Sequence, residues 1–243
     1  MSKKNLKSDI IFYGIILAVL TFIGSSIFVL YKKEYINNPI IQQNISAFNT
    51  LYIYDFYISA TPNIDGRIYY GNKRASITII AFMDIDSEAS RYFMKEIFPK
   101  IEQDYINTGK VRIYFKHYIT VQDFQDKNNR FLYAHALSCV ESANKESYYR
   151  FYFDLFKING IEELKNLLDK HKIDKNSFDA CIKQHNYKNI IVDMHETENF
   201  GISGITPRFY IGLDGRDNII LEGVPKYTKF KRTIKEYEVT VGE

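Results

Sequence analysis

Apolar and polar positions follow three regimes along the chain. Ile10 to Tyr31 reads IIFYGIILAVLTFIGSSIFVLY without a single charge. As a helix this run covers roughly 33 Å, against a bilayer hydrocarbon core of about 30 Å, so residues 10–31 are expected to form a transmembrane anchor. Lys3, Lys4 and Lys7 precede it and Lys32 and Lys33 follow. With the free amino group counted, the positive-inside rule favours a cytoplasmic 1–9 and an external bulk. A cleaved signal peptide is the rival, but the run exceeds the usual apolar region of a leader and no A-x-A-like site follows it. Residues 32–66 are polar and aromatic without a clean period and read as a linker, with one short helix near Pro39 to Phe48.

From Ala75 the pattern becomes regular. Ala75 to Asp84 (ASITIIAFMD) is a continuous β-branched run of strand length, the signature of a strand buried on both faces. Phe93, Ile97, Ile101 and Tyr105 then recur every four residues, which predicts a helix that Gly109 stops and Pro99 kinks. Val111 to Ile119 is a second strand. Strand, helix and strand make a βαβ unit with parallel pairing and a right-handed crossover, so the class is α/β. Helical spacing follows over Arg130–Ala143, Ser147–Phe156, Ile161–His171 and Ser177–Asn199, a helical insertion between about 123 and 200. Two short apolar runs flank Asp214-Gly215 as a β-hairpin, and Lys226 to Tyr237 closes with a helix.

Composition changes this picture in three respects. The 32 basic and 29 acidic residues nearly cancel, leaving no electrostatic case for nucleic acid. Two cysteines, Cys139 and Cys181, are too few for a disulfide scaffold or a four-cysteine zinc site, and they form no CxxC. The five histidines form no H-x-x-x-H pair or other metal-ligand spacing, so no metal or cofactor is expected.

A βαβ unit, a helical insertion, a hairpin preceded by Thr206-Pro207 and a closing helix resemble the thioredoxin fold. More specifically, residues 67–243 look like the DsbA family of periplasmic thiol oxidoreductases, whose thioredoxin core carries an inserted helical domain. The segments that carry the resemblance begin ITIIAFMDIDSEASRYF, FDACIKQHNYKN and GVPKYTKF.

The resemblance directs attention to particular positions. The family places Cys-x-x-Cys where the first strand turns into the helix, whose N-terminus stabilises a thiolate. Ser87 and Ser90 stand there. Serine forms no disulfide and has no appreciable oxyanion near neutral pH, so thiol exchange has no path at this site. The family's buried acid, six residues before the first cysteine, corresponds to Ala81. Read on its own, Ser87 is a good N-cap, with Asp86 and Glu88 complementing the helix dipole; a nucleophilic serine would need a base beside it and a setting such as G-x-S-x-G, which is absent. Thr206 and Pro207 match the threonine and cis-proline that border the family's peptide groove, and Arg208 adds a cation there. Cys139 and Cys181 match a non-catalytic disulfide between helices of the insertion in alphaproteobacterial members; two unpaired buried thiols are the plainer alternative.

The expected protein is therefore α/β and thioredoxin-like, anchored in the inner membrane with its N-terminus in and its C-terminal domain periplasmic. Its expected activity is non-catalytic holding of an unfolded or extended polypeptide or an envelope protein. The rival activity is DsbA-type disulfide formation.

Overall fold

The computed structural model describes residues 61–241 other than 144, 185, 186 and 215. The anchor expected at 10–31, nearly all of the linker and Gly215 of the hairpin turn lie outside these residues. Among the described residues no helix is long and apolar enough to cross a membrane.

Five strands form one mixed sheet: β1 (Tyr70–Gly71), β2 (Ile77–Met83), β3 (Val111–His117), β4 (Arg208–Leu213) and β5 (Arg216–Glu222), in the order β1-β3-β2-β4-β5. The β2–β3 pair is parallel, as the βαβ reading requires, and β4 runs antiparallel to both β2 and β5. β1 was not legible as a strand. It exists through its pairing with Ile113 and Arg112 of β3, and Gly71 permits that approach because a Cβ there would lie 2.8 Å from the Val111 carbonyl oxygen.

Helix α1 covers residues 88–106. It alternates α segments, Glu88–Tyr92 and Phe98–Ile101, with π segments, Phe93–Ile97 and Glu102–Ile106. Pro99 therefore sits just beyond a π turn in which the Phe98 N–H bonds to the Phe93 carbonyl, so the helix takes up the missing donor by widening upstream. The stop at Gly109 holds: its φ is +79°, and Lys110 bonds back to Tyr105.

The insertion supplies α2 (Val121–Asp126), α3 (Asn129–Ala143), α4 (Lys145–Leu155), a 3-10 turn (Ile161–Glu163), α5 (Leu164–Lys170), α6 (Lys175–Gln184) and α7 (Lys188–Asn199); α8 (Tyr227–Val241) closes the chain. The single helix expected over Ser177–Asn199 is two. Tyr187 leaves the helical region (φ −104°, ψ 14°) and buries its ring against Phe124, Phe131 and His135, which interrupts the run.

β2 is buried at every position. Ile77, Ile79, Ala81 and Met83 face the main core with α1, α3, α4 and α8, whereas Ile80 and Phe82 face a smaller cluster with Tyr114, Ile202 and Tyr210. Phe93, Phe209 and Phe230 pack in tilted and edge-on pairs with ring centroids 4.6–5.7 Å apart and join α1, β4 and α8. Cys139 of α3 and Cys181 of α6 form a disulfide with a Cα separation of 5.5 Å.

Between β3 and α7 lies a buried ion network. Asp193 and Lys116 are both fully buried, 3.0 Å apart; Asp193 also binds Arg67 and accepts the His117 backbone N–H at 2.9 Å, and Lys116 reaches Glu196 at 2.5 Å and the Asn63 carbonyl at 2.8 Å. The neighbouring His117 imidazole is pushed down from 6.5 to about 4, chiefly by burial, with Asp193 opposing and the Arg67 and Lys116 charges reinforcing. Below 6.5 the unfolded chain takes up a proton that the folded chain refuses, so this contribution to stability is complete above pH 6.5 and declines as pH falls towards 4. Urea midpoints of the intact chain should fall across that window, and His117→Gln should flatten the slope there; an equal slope in both proteins would place its origin elsewhere.

Candidate functional site at the carboxyl end of strand β2

The chain leaves β2 at Met83 and enters α1 at Glu88 through a turn fixed by its own polar groups. The Ser87 N–H bonds the Asp84 carbonyl at 3.1 Å, and the Asp86 N–H bonds Asp84 Oδ1 at 2.9 Å. Ser87 is extended (φ −82°, ψ 127°), accepts a long bond from the Ser90 N–H at 3.5 Å, and through its carbonyl accepts the Arg91 N–H. It is thus the N-cap that its position suggested, with Glu88 in the first turn. Ser90 is fully buried, and its Oγ accepts the Asp84 N–H at 3.3 Å. Among the described residues no histidine hydrogen-bonds either serine. Ala81 is fully buried in β2, beside Phe115 of β3 and Phe209 of β4, so a charge there would have apolar cross-strand neighbours.

Behind this turn stands a cluster absent from the sequence reading. Arg130 of α3 donates from Nε to Asp84 at 2.9 Å and from Nη1 to Asp123 at 3.2 Å, and its guanidinium carbon lies 5.6 Å from the Tyr118 ring centroid. Both carboxylates are buried, and Arg130 is about one-third exposed (37%). Burial raises the Asp84 carboxyl above its usual range against the pull of Arg130. Asp123 is shifted the other way: burial is outweighed by hydrogen bonds from Asn128 and Thr120 and by the Arg130 charge. One sequence signal was available: Thr120-x-x-Asp123 forms a complete capping box at the start of α2. The Asp84–Arg130 bond, spanning 46 residues, had none.

The β2–β4 register brings the other predicted residues to the same end of the sheet. Phe82 pairs with Arg208, so Pro207 and Thr206 extend past the β4 terminus just where β2 leads to Asp84 and Ser87. The Thr206–Pro207 peptide is cis, and Thr206 is buried. Arg208 is committed internally, donating to the Phe200 and Gly201 carbonyls at the end of α7 and pairing with Glu222 at 3.2 Å. All three contacts are made by Nη1, while the buried Nε has no hydrogen-bond partner among the described residues.

Five large apolar side chains are exposed among the described residues, and two of them, Ile220 on β5 and Val239 on α8, lie on elements outside the site. Tyr92 on α1 is 55% exposed, Leu132 on α3 is 38% exposed and Ile205, next to Thr206, is 54% exposed. Each lies on an element or turn that builds the site.

A sequence model of the thioredoxin family matches residues 63–236. Disulfide bond formation protein D of Bacillus subtilis (strain 168) is 31% identical over 100 residues, covering 41% of this chain and 43% of that protein. The chain thus matches less than half the length of this curated relative. Of solved structures, oxidised BdbD from Bacillus subtilis is similar with a TM-score of 0.61 and 22% identity over 73% of this chain and 96% of that one. Wolbachia pipientis alpha-DsbA1 (TM-score 0.59, 23% identity, 72% and 92% coverage) and alpha-DsbA2 (0.57, 20%, 81% and 97%) share the architecture. At these identities the structural likeness is one of fold. Because the family match spans most of the sequence, the chain belongs to the thioredoxin family, in the DsbA-like form of its fold.

Proposed function

We propose that this chain is a non-catalytic DsbA-like module that holds extended or unfolded polypeptide, or an envelope protein, at the membrane. Its anchor would be residues 10–31 and its folded domain would lie in the periplasm. The observation that carries this reading is exposed apolar surface on the segments that build the Ser87–Ser90 site: Tyr92 on α1, Leu132 on α3 and Ile205 beside Thr206, around hydroxyls where the resemblance would place thiols. Such scattered apolar surface suits an extended chain with alternating side chains, while a rigid turn beside Thr206 offers backbone groups. Loss of activity is supported by Ser87, Ser90 and Ala81 together, since each removes a different part of thiol exchange.

The rival reading is disulfide formation, for which the curated relative is named. Its sulfurs would have to be Cys139 and Cys181. Cys139 is fully buried inside α3, and the partly covered Cys181 lies within α6 away from its N-terminus, so neither sulfur has the helix-start position that stabilises a thiolate and the pair is better suited to a staple.

Peptide capture tests the proposal. The intact chain is expected to bind an unfolded, permanently reduced client. Tyr92→Ser with Ile205→Ser, both exposed and outside the core, should weaken capture by about tenfold or more, given roughly 1.5–3 kcal/mol for burying a large apolar side chain. Pro207→Ala should weaken it as well. Absence of client binding, or binding indifferent to the surface pair, would remove the proposal.

A further inference from the structure

The insertion holds a second feature, remote in sequence from Ser87. A cleft of about 780 Å³ lies between the end of α4 and the end of α5, with Phe153 among its lining residues. Its ionisable lining consists of Arg150, Lys157, Lys170, Lys172, His171 and one carboxylate, Asp154. Four cations, Arg150, Lys157, Lys170 and Lys172, thus face a single carboxylate across the cleft.

The geometry around Asp154 shows what these cations can bind. Lys157 reaches Oδ1 at 2.6 Å, and Lys170 and His171 Nε2 reach Oδ2 at 2.8 and 2.9 Å. Three donors from α5, its C-terminal turn and the segment after α4 thus converge on one small oxyanion, and the carboxylate is held well below its usual range by them although its burial works the other way. His171 is 10% exposed and packs edge-on against Phe151, which fixes the ring against Asp154. Arg150 and Lys172 join no described side-chain hydrogen bond or ion pair and remain available. Glu163 borders a smaller adjoining cleft and opposes anion entry from that side.

We infer that this cleft is a binding site for a compact phosphate-bearing anion, seated on Arg150 and Lys172 beside the Asp154-ordered lysines. A guanidinium and clustered ammonium groups are donors that phosphate oxygens accept from, and Asp154 competes with such a ligand for Lys157 and Lys170. Two sources share this chemistry, a free polyphosphate and a phospholipid headgroup.

Titration calorimetry on the intact chain in neutral detergent separates them. Inorganic pyrophosphate and glycerophosphoglycerol, the deacylated headgroup, are the probes, with acetate at equal ionic strength as control. One probe is expected to bind with 1:1 stoichiometry, and which one binds identifies the source. Arg150→Ser with Lys172→Ser should weaken that binding about tenfold, the loss of one to two charge-assisted contacts. Asp154→Asn should tighten it, because the internal competitor is neutralised. Failure of both probes to exceed acetate, indifference to the Arg150/Lys172 pair, or weaker binding by a folded Asp154→Asn protein would each overturn the assignment.

Discussion

Asp193→Ala is expected to destabilise the chain by about 3–5 kcal/mol, the usual cost of removing one partner from a buried ion pair. Asp193 and Lys116 have no exposed side-chain surface, and Asp193 also binds Arg67 and the His117 backbone N–H. Without it Lys116 remains desolvated between Glu196, whose own carboxyl is raised chiefly by burial, and the face of Phe82 at 5.6 Å. The loss extends beyond β3 and α7. The Asn63 carbonyl and Arg67 are tied to the same groups, so the segment entering β1 should loosen with them. Urea unfolding of the intact chain measures the effect. The paired change Lys116→Met with Asp193→Leu should recover part of the stability, since the fully buried lysine is no longer left without Asp193, while Arg67 and Glu196 each still lose a partner. A loss below about 1 kcal/mol for Asp193→Ala, the range of an exposed pair, would show that water reaches the network.

Removing the disulfide is the second large effect. Cys139 and Cys181 are 42 residues apart, a loop whose closure is worth about 4 kcal/mol in the chain-entropy treatment. This is a sizeable fraction of a typical folding free energy of about 5–15 kcal/mol. The loss should be concentrated in α6, where Phe178 is the buried residue and Cys181 and Ile182 are only partly covered. Cys139→Ala with Cys181→Ala is expected to lower the urea midpoint and to remove amide-exchange protection from α6 before the sheet. Equal protection of α6 with and without the bond would mean that its apolar contacts suffice.

Much of the fold was legible because its signals are local. The β-branched run at Ile77–Met83, the four-residue spacing of Phe93, Ile97 and Ile101, and Gly109 specify the βαβ unit without tertiary information. β1 was illegible because a two-residue strand has no period, and only its pairing with β3 makes it one. The break at Tyr187 was missed for a related reason: the ring finds Phe124 and Phe131, which lie more than fifty residues earlier. At the site, Ser87 could be read locally as a cap. The meaning of Ser90, Ala81 and Thr206 came through the resemblance to DsbA proteins, because hydroxyls and a methyl group carry no chemistry of their own to detect. Arg130 binding both Asp84 and Asp123 could not be anticipated, since charge pairing between distant segments leaves no periodic trace.

We propose that this DsbA-like chain performs no thiol–disulfide exchange because hydroxyls, those of Ser87 and Ser90, stand at the start of α1. Insulin reduction by dithiothreitol measures it directly, with the intact wild-type chain beside Ser87→Cys/Ser90→Cys. The wild type is expected to match the uncatalysed rate. The double variant should exceed it, because the sulfur introduced by Ser87→Cys would take the N-cap position of α1, where the helix dipole and first-turn amide groups favour a thiolate. Turnover by the wild-type chain, abolished by Cys139→Ala with Cys181→Ala, would contradict the account and make the surviving cysteines the working pair.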